Sequence, residues 1–344
     1  MKANLRITTF LVFLGLMFYS DIQAQDIHFS QYYNSPLNLG PGMTGIFRGD
    51  YRFIGNYRNQ WSSVPVDYKT FSGSFDMRYA HKKIENGFFG AGIILNSDKA
   101  GDAELSLTQA MLSISYSQMM NESNILSLGF QIGSGQRSFS PDNLGFGNQY
   151  DGDIYRATNP TGENFINTSA SYVDMGVGLN WHFQPERGKS FADIGFGLYH
   201  LNTPKVNLFE TSEDIELPMR YSIYCIGEIA AGDKLTYLLH AFGQGQGPSN
   251  EAQAGAGVKY WLSQQRGQEI AVQFGTAYRF IGISDALIPS VEVHYLAWKV
   301  GFSYDVNLSG FTRATNNRGG PELSIEYIIT KVGPTKEIKA CPIF

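Results

Sequence analysis

The chain has 344 residues and a formal net charge of −5, with 43% hydrophobic, 14% aromatic and 17% charged residues, 38 glycines and two cysteines. The apolar content excludes a disordered chain, the negative charge offers no basic face to nucleic acid, and two cysteines are too few for a disulfide scaffold or a Cys-rich metal site. Glycine costs about 1 kcal/mol per helical position relative to alanine, so the composition favours β-structure over long helices.

The first 24 residues have the features of a secretory signal peptide. Lys2 and Arg6 supply the positive start, residues 10–19 form an unbroken apolar stretch, and Ala24 is a small residue suited to cleavage before Gln25. A membrane-anchoring helix is the less favoured alternative, because a helix needs about 20 apolar residues to span a bilayer. The rest of the chain has no apolar run of that length. We therefore expect an exported protein that is either soluble or a β-barrel.

Residues 25–50 do not follow a strand pattern. The segment contains Pro36 and Pro41 and several glycines, and its apolar residues do not alternate in register. We expect it to be irregular, either as a plug inside a barrel or as a periplasmic segment. The tail 331–344, which contains Pro334 and Pro342, is expected to be periplasmic as well.

From residue 52 onwards, apolar residues alternate with small or polar ones. In one segment Leu126, Leu128 and Phe130 alternate with Ser127 and Gly129. Only a strand keeps such a set on one face. The pattern predicts fourteen strands, at residues 52–60, 70–80, 87–97, 104–119, 124–137, 169–183, 190–201, 217–231, 233–243, 251–263, 267–281, 286–295, 297–306 and 320–330.

The lengths of these segments favour a transmembrane barrel over a soluble sandwich. Most have ten or more residues, whereas globular strands average five or six and a membrane strand needs about 9–11. The connections alternate as well. Short turns follow the even-numbered strands, and the longest loops (61–69, 138–168, 202–216 and 307–319) follow odd-numbered ones, as in outer-membrane barrels. The sequence therefore predicts an all-β, antiparallel outer-membrane barrel of about 14 strands covering residues 51–330, whose first strand begins and last strand ends on the periplasmic side.

Aromatic residues recur near the predicted strand ends and suggest girdles at the two membrane interfaces, although aromatic residues also favour strands in general. The tyrosines concerned are Tyr57, Tyr79, Tyr116, Tyr172, Tyr199, Tyr237, Tyr260 and Tyr295.

No motif for catalysis, cofactor or metal binding survives inspection. Residues 40–45 spell G-x-G-x-x-G, but no strand precedes them and no helix follows, so turn glycines are expected. The six histidines lack metal-ligand spacing. Cys225 is interpreted as a small packing residue. Asp142, Asp151 and Asp153 leave calcium binding in loop 138–168 open, without an EF-hand pattern. We expect no enzyme, no cofactor, no metal site and no nucleic-acid partner.

Several motifs, spread in order over the mature chain, resemble the PorP/SprF family. Residues 25–36 are similar to the start of mature family members, although Ser35 interrupts the usual Asn-Pro pair. Residues 56–61 match the family's Tyr-Arg-x-Gln-Trp element. Further similar segments are 98–101, 302–307, 320–327 and the final 341–344, in which Ile343 replaces the usual Arg.

The resemblance implies an outer-membrane barrel of the type IX secretion system, which assists the export or surface anchoring of a secreted protein such as an adhesin in gliding and secreting bacteria. Its implied partners are outer-membrane lipid, type IX secretion components on the periplasmic side and the secreted client at the long loops. Main-chain pairing with an extended client segment is one contact mode, but no sequence feature locates it. Our interpretation of the matched motifs assigns partner-binding or plug-contact residues at Phe29, Gln31, Tyr32, Asn34, Arg58, Asn59, Gln60 and Trp61.

Within this set, Arg58 and Gln60 are expected to hydrogen-bond the segment 25–45, and Trp61 to anchor the rim of the barrel. The main alternative function is an outer-membrane channel or hydrophobic-solute transporter with an N-terminal plug. A soluble secreted β-protein, acting as an adhesin or lectin, is a third hypothesis.

Overall fold

The computed structural model describes residues 26–60, 67–80, 84, 86–142, 144–163, 167–185, 189–208, 215–265, 267–280, 286–308 and 317–330. The predicted signal peptide, Trp61 and the tail 331–344 lie outside the described residues.

The fold is a closed barrel of fourteen antiparallel strands, as predicted. Each strand pairs with its neighbours along the chain, and β1 closes the barrel against β14, from Tyr51 opposite Ile329 to Arg58 opposite Glu322. The strands are β1 (Tyr51–Gln60), β2 (Tyr68–Tyr79), β3 (Gly87–Ala100), β4 (Leu105–Asn121), β5 (Asn124–Ser138), β6 (Ser169–Phe183), β7 (Phe191–Tyr199), β8 (Arg220–Ala231), β9 (Leu235–Gln246), β10 (Ser249–Ser263), β11 (Ile270–Phe280), β12 (Ala286–Tyr295), β13 (Trp298–Asn307) and β14 (Arg318–Ile329).

The period-two pattern sorts the side chains onto two faces of the wall. In β4, Leu112 and Ile114 point outward and are 58% and 59% exposed, whereas Ser113 and Ser115 point inward and are buried. In the described strands, large apolar side chains dominate the outer face, whereas the inner face is mostly polar with apolar clusters around the plug. An apolar outer band with a polar interior is typical of barrels in lipid.

The strand ends differ from the prediction by a few residues. β7 ends at Tyr199 instead of residue 201 because His200 has a left-handed backbone, with φ of 56°. At the start of β11, Gly267 has φ of 79° and forms part of a turn, so the strand begins at Ile270. Turn residues with positive φ thus end strands whose apolar pattern continues.

Two further expectations need correction. Tyr172 and Tyr199 do not belong to an outer girdle: both are buried inside the barrel, because alternation puts them on the same face as Asp174 and Gly197. Cys225 is not a packed residue either. It is exposed on the outer wall, between the inward-facing Tyr224 and Ile226 of β8.

Connections of unequal length separate the two ends of the barrel. The two longest, 139–168 and 200–219, lie at the same end, called here the long-loop end. At the other, short-turn end, β4 and β5 are joined by residues 122–123 and β12 and β13 by residues 296–297. By the rule for outer-membrane barrels, we expect the long-loop end to face the outside of the cell.

Residues 26–50, called the plug, lie inside the barrel. Two 3₁₀ turns, Tyr32–Asn34 and Pro41–Met43, flank a one-turn helix, α1 (Pro36–Leu39). Proline begins α1 and the second 3₁₀ turn, where its missing N–H costs no hydrogen bond. Nearly every plug residue before Phe47 is buried. Among the described residues, no helix combines the length and apolar character needed to cross a membrane.

Candidate functional site

The plug runs along the lumen from one end of the barrel to the other. At the long-loop end, the backbone N–H of Asp26 donates to Oε1 of Gln246, the last residue of β9, at 3.0 Å. At the short-turn end, the N–H of Asp50 donates to the carbonyl of Ile329 at 2.9 Å, one residue before β1 begins. The segment therefore does not hang below the barrel, and its first described residue lies at the end opposite to the start of β1.

The centre of the plug is fixed by the side chain of Glu322 on β14. Its two carboxylate oxygens accept the N–H groups of Ser30 and Gln31 at 2.7 Å each. Ser30 also donates its hydroxyl to Oδ1 of Asp305 on β13, and its carbonyl accepts Nε2 of Gln253 on β10, both at 2.7 Å. Hydrogen bonds to ionised acceptors are about twice as strong as neutral ones. Three strands thus hold two consecutive residues of the plug.

Two arginines compensate the carboxylates around Ser30. Arg58 donates from Nη1 to the carbonyl of His28 at 2.9 Å and from Nη2 to Oδ2 of Asp305 at 2.8 Å. Arg279 lies 3.0 Å from the same oxygen and 3.2 Å from Oε1 of Glu251. The charged anchor, defined as these groups together, consists of Arg58, Glu251, Arg279, Asp305 and Glu322.

All five members of the charged anchor are buried. Two positive charges meet three negative charges, so the formal net charge of the anchor is −1. Charges removed from water need nearly complete pairing, and deleting one partner of a buried pair costs about 3–5 kcal/mol. The anchor therefore stabilises the seated plug only while all its members are present.

A second charged group, called the latch, holds the start of the plug. His200, just beyond β7, contacts Oδ2 of Asp26 through Nε2 at 2.5 Å and Oδ1 of Asp174 on β6 through Nδ1 at 2.9 Å. Arg137 on β5 and Arg220 on β8 lie 3.3 Å and 3.6 Å from the Asp26 carboxylate. Ionised carboxylates only accept hydrogen bonds, so both ring nitrogens of His200 carry protons and the imidazole is positively charged.

The latch shifts the pKa values of its two members outside the strands. Burial alone would lower the pKa of His200, but the charge of Asp26 and the hydrogen bonds to both carboxylates raise it to about 9. Burial alone would raise the pKa of Asp26, but the charges of His200, Arg220 and Arg137 lower it below its usual range. Both groups are therefore charged at neutral pH, as the geometry requires.

The second half of the plug is held by close packing together with one buried ion pair. A Cβ added at Gly129 on β5 would lie 2.1 Å from the carbonyl carbon of Pro41, and one at Gly90 on β3 would lie 2.3 Å from the carbonyl oxygen of Thr44. Gly178 on β6 faces Pro41 in the same way. These inward-facing glycines, called the glycine seat, let the plug backbone approach the strand backbone directly, which no other residue type permits.

Arg52 on β1 and Asp76 on β2 form an ion pair that contacts the end of the plug. The guanidinium donates from Nε and Nη2 to the two oxygens of Asp76 at 2.9 Å and 2.8 Å, and Asp76 Oδ2 also accepts the N–H of Gly45 at 2.8 Å. The Arg52 guanidinium lies over the ring of Phe47, 4.5 Å from its centroid. The plug thus meets a bidentate ion pair before it leaves the lumen.

Most of the residues assigned from sequence meet at the plug. Gln31 Nε2 donates to Ser303 Oγ at 3.0 Å, and Asn34 Nδ2 donates to Glu292 Oε1 at 2.9 Å. Tyr32 hydrogen-bonds His240 Nδ1 at 2.6 Å. Phe29 is buried, and Arg58 makes the expected hydrogen bond to the plug.

Asn59 and Gln60 lie on opposite faces of β1. Gln60 is buried on the inner face of β1, and its contact with the plug stays a prediction. Asn59 lies on the opposite face of β1 from Arg58 and Gln60, which gives it no position toward the plug, and a partner-binding role for it stays a prediction.

Sequence reasoning missed the strongest plug contacts, Glu322, Asp305, Arg279 and His200. Glu322 and Ser30 are 292 positions apart in the chain, so only the register of the closed barrel brings them together. One signal was present in the sequence: charged residues at these positions fall on the inward face, where an unpaired charge would be costly.

The chemistry of the site is that of holding a polypeptide. Within the described part of the chain, no three His, Cys, Asp or Glu side chains are grouped to hold a metal ion. In loop 139–168 the Asp151 carboxylate accepts the N–H groups of Asp153 and Ile154 and the Nε of Arg156, at 2.9–3.1 Å. Residues 40–45 belong to the plug and pack against the wall.

Comparison with known families gives one match over nearly the whole chain. The model of a family described as type IX secretion system membrane protein PorP/SprF matches residues 22–327. No curated protein sequence is significantly similar to the chain.

Solved structures with a similar course of the chain are membrane barrels of low sequence identity. The P. putida toluene transporter TodX is 9% identical with a TM-score of 0.48, covering 87% of this chain and 95% of its own. The Ralstonia pickettii toluene transporter TbuX is 9% identical with a TM-score of 0.47, covering 86% and 94%. A Pseudomonas aeruginosa FadL homologue is 10% identical with a TM-score of 0.42, covering 86% and 94%. Similarities this low say nothing about what this chain binds.

Proposed function

The chain belongs to the PorP/SprF family of type IX secretion system membrane proteins, and on this premise we propose that it assists the export or surface anchoring of a secreted protein, such as an adhesin. It is an outer-membrane β-barrel. In the proposed role it is not an enzyme: the barrel holds and positions a client while other components of the secretion system move it.

One observation carries this proposal: the lumen contains the protein's own plug, fixed by charge at one level and by close packing at another. Buried contacts hold Ser30 and Gln31 to Glu322 at 2.7 Å, and the glycine seat holds residues 41–44. A client could cross this lumen only after both sets of contacts had been broken. The geometry therefore favours a docking or anchoring role over that of the export pore itself.

The two ends of the barrel suggest how partners are divided. The long loops would meet the client outside the cell. The short-turn end, where β1 begins and β14 ends, would meet secretion components in the periplasm. A link to adhesin export and gliding belongs to this proposal.

The test is deletion of the gene in its native host, with the chromosomal copy restored as the control. We expect one or a few surface proteins to disappear from the cell surface and the medium, while general outer-membrane composition stays the same. Normal amounts of every secreted protein in the deletion strain would contradict the proposal.

Conductance distinguishes the transporter hypothesis. In a planar bilayer, purified wild-type protein is expected to show no steady conductance, because the plug stays in the lumen. Steady conductance together with normal protein export in the deletion strain would favour a channel.

A further inference from the structure

Strand β6 extends beyond β7 at the long-loop end. It pairs with β5 along its whole length, from Ser169 opposite Ser138 to Phe183 opposite Asn124. Its pairing with β7 is confined to Gly176 and the residues after it. Residues 169–175 therefore have a strand on one side only.

The hydrogen bonds around this region identify which backbone groups point to the open side. The N–H of Phe139 donates to the carbonyl of Thr168 on the β5 side, whereas the N–H of Leu201 donates to the carbonyl of Met175 on the β7 side. Backbone groups alternate along an antiparallel strand, so even-numbered residues of β6 face β5 and odd-numbered ones face the open side. Asn202 Nδ2 donates to the carbonyl of Val173 at 2.7 Å.

From residue 169 up to the N–H of Val173, the open side of β6 has no hydrogen-bond partner in the described part of the chain. None of the described residues bonds to the N–H groups of Ser169, Ser171 or Val173, or to the carbonyls of Ser169 and Ser171. The side chains of the same three residues are exposed. An edge of unpaired N–H and C=O groups is a template for another strand.

The loop that follows β7 turns away from this edge. At His200 the backbone becomes left-handed and the chain leaves the sheet. Val206 and Leu217 are buried against Leu107 and Tyr172, which face the lumen. These loop residues cover the start of the plug instead of extending the wall.

Position along the barrel limits what could cover the edge. The nine residues of β7 are about the number that cross a bilayer, so residues 169–175 of β6 extend beyond the membrane at the long-loop end. The described ends of the chain lie elsewhere: Asp26 is bonded inside the lumen, and β14 finishes at the short-turn end. A partner that reaches this edge would approach it from outside the cell.

We propose that residues 169–173 of β6 receive an extended segment of the exported protein, which adds to the barrel wall as a further strand. This inference rests on the proposed function and names its contact surface. Main-chain hydrogen bonds supply the attraction in strand addition and place few demands on sequence. Such a surface could accept client segments of varied sequence, as long as they are extended.

The test uses Ser171→Pro with Ser171→Ala as its matched control. Proline removes the N–H that faces the open side and leaves the hydrogen bonds between β6 and β5 intact, and it is tolerated on edge strands. The alanine variant loses only the hydroxyl. We expect the proline variant to lower the surface amount of the client about tenfold, which corresponds to the loss of one backbone hydrogen bond. The alanine variant should match wild type. Heat-modifiable mobility on gels verifies that each barrel is folded.

The outcomes separate failure of the edge inference from failure of the proposed function. If deletion of the gene lowers client export but Ser171→Pro does not, the edge inference is wrong and the proposed function stands. If deletion itself has no effect, the proposed function fails. If Ser171→Pro is not folded, Ser169→Pro at the first residue of the strand replaces it. A photo-crosslinker at Ser169 that captures a second copy of the barrel, with export unchanged in the proline variant, would overturn the inference in favour of self-association.

Discussion

The two halves of the plug are held in the lumen by different physical interactions. Residues 26–34 are fixed by buried charges and hydrogen bonds from strands on all sides of the lumen, through the latch and the charged anchor. Residues 40–45 are fixed by backbone-to-backbone packing on the glycine seat and, at Gly45, by the carboxylate of Asp76, which is paired with Arg52. Charged contacts can be weakened by pH or by loss of one partner, whereas close packing responds only to a change of shape. The first half is therefore the one that a signal or partner could release.

The largest effect is expected from breaking the charged anchor with Arg58→Ala. The substitution leaves Asp305 and Glu322 with a single arginine, and the formal charge of the anchor changes from −1 to −2. We expect the seated plug to lose about 3–5 kcal/mol. Chymotryptic cleavage after Tyr32, followed by mass spectrometry, should rise strongly in the folded barrel.

Asn59→Ala is the matched control for that experiment, because the neighbouring residue faces away from the plug. It should leave cleavage after Tyr32 at the wild-type rate. Equal protection in Arg58→Ala and wild type would mean that the anchor does not hold the plug.

A smaller effect is expected from changing the shape of the glycine seat with Gly129→Ala. The added Cβ would lie 2.1 Å from Pro41, so the plug or β5 must shift, at a cost of about 2 kcal/mol. The plug should then become more sensitive to protease at every pH. Gly55→Ala is the control, since a Cβ at Gly55 meets nothing within 4 Å; similar behaviour of the two variants would remove the steric half of the comparison.

The smallest effect is expected from pH, through the latch. The folded-state pKa of His200 is raised to about 9, above its usual value of about 6.5. Its contribution to plug docking is thus complete below about pH 6.5 and is lost as the pH rises through 9. The pKa of Asp26 is lowered, so that group does not weaken the latch until the pH falls below its usual value.

Plug protection should accordingly decline between about pH 8 and pH 10. Only the part of the pKa shift that depends on Asp26 acts on docking, because Asp174 stays beside His200 when the plug leaves. In His200→Gln this decline should be absent. A wild-type profile without this decline, or a decline that persists in His200→Gln, would contradict the role of His200 in holding the plug.

The barrel was predictable from sequence because a strand in lipid needs apolar residues at every second position over its full length. Leu126, Leu128 and Phe130 are an example, and all three face outward. The same periodicity, applied at Asn59, would have excluded it from the plug contacts. At His200 the pattern failed, since a single left-handed residue ends β7 without any change in hydrophobicity.

Residues of the site could be predicted from the sequence only where they lie within a local motif. Arg58 was identified because it lies within a family-like element, residues 56–61, and it bonds to the carbonyl of His28. The partners of Ser30 on β10, β13 and β14 could not be named, because their proximity depends on the closure of the barrel and on its register. Periodicity gives the face on which Glu322 lies but not the depth at which it meets the plug.

The central claim is that residues 26–50 occupy the lumen of the folded barrel, and a designed disulfide tests it most directly. Thr44 Oγ1 and Ser113 Oγ on β4 are 2.7 Å apart, so Thr44→Cys with Ser113→Cys, in a chain with Cys225→Ala and Cys341→Ala, should form a disulfide in isolated outer membranes. After proteolysis the plug and β4 peptides should migrate together until reduced. Thr44→Cys paired with Ser303→Cys, which lies beside Gln31 on β13, should not crosslink. Failure of the first pair to crosslink, or equal crosslinking of both pairs, would contradict the account.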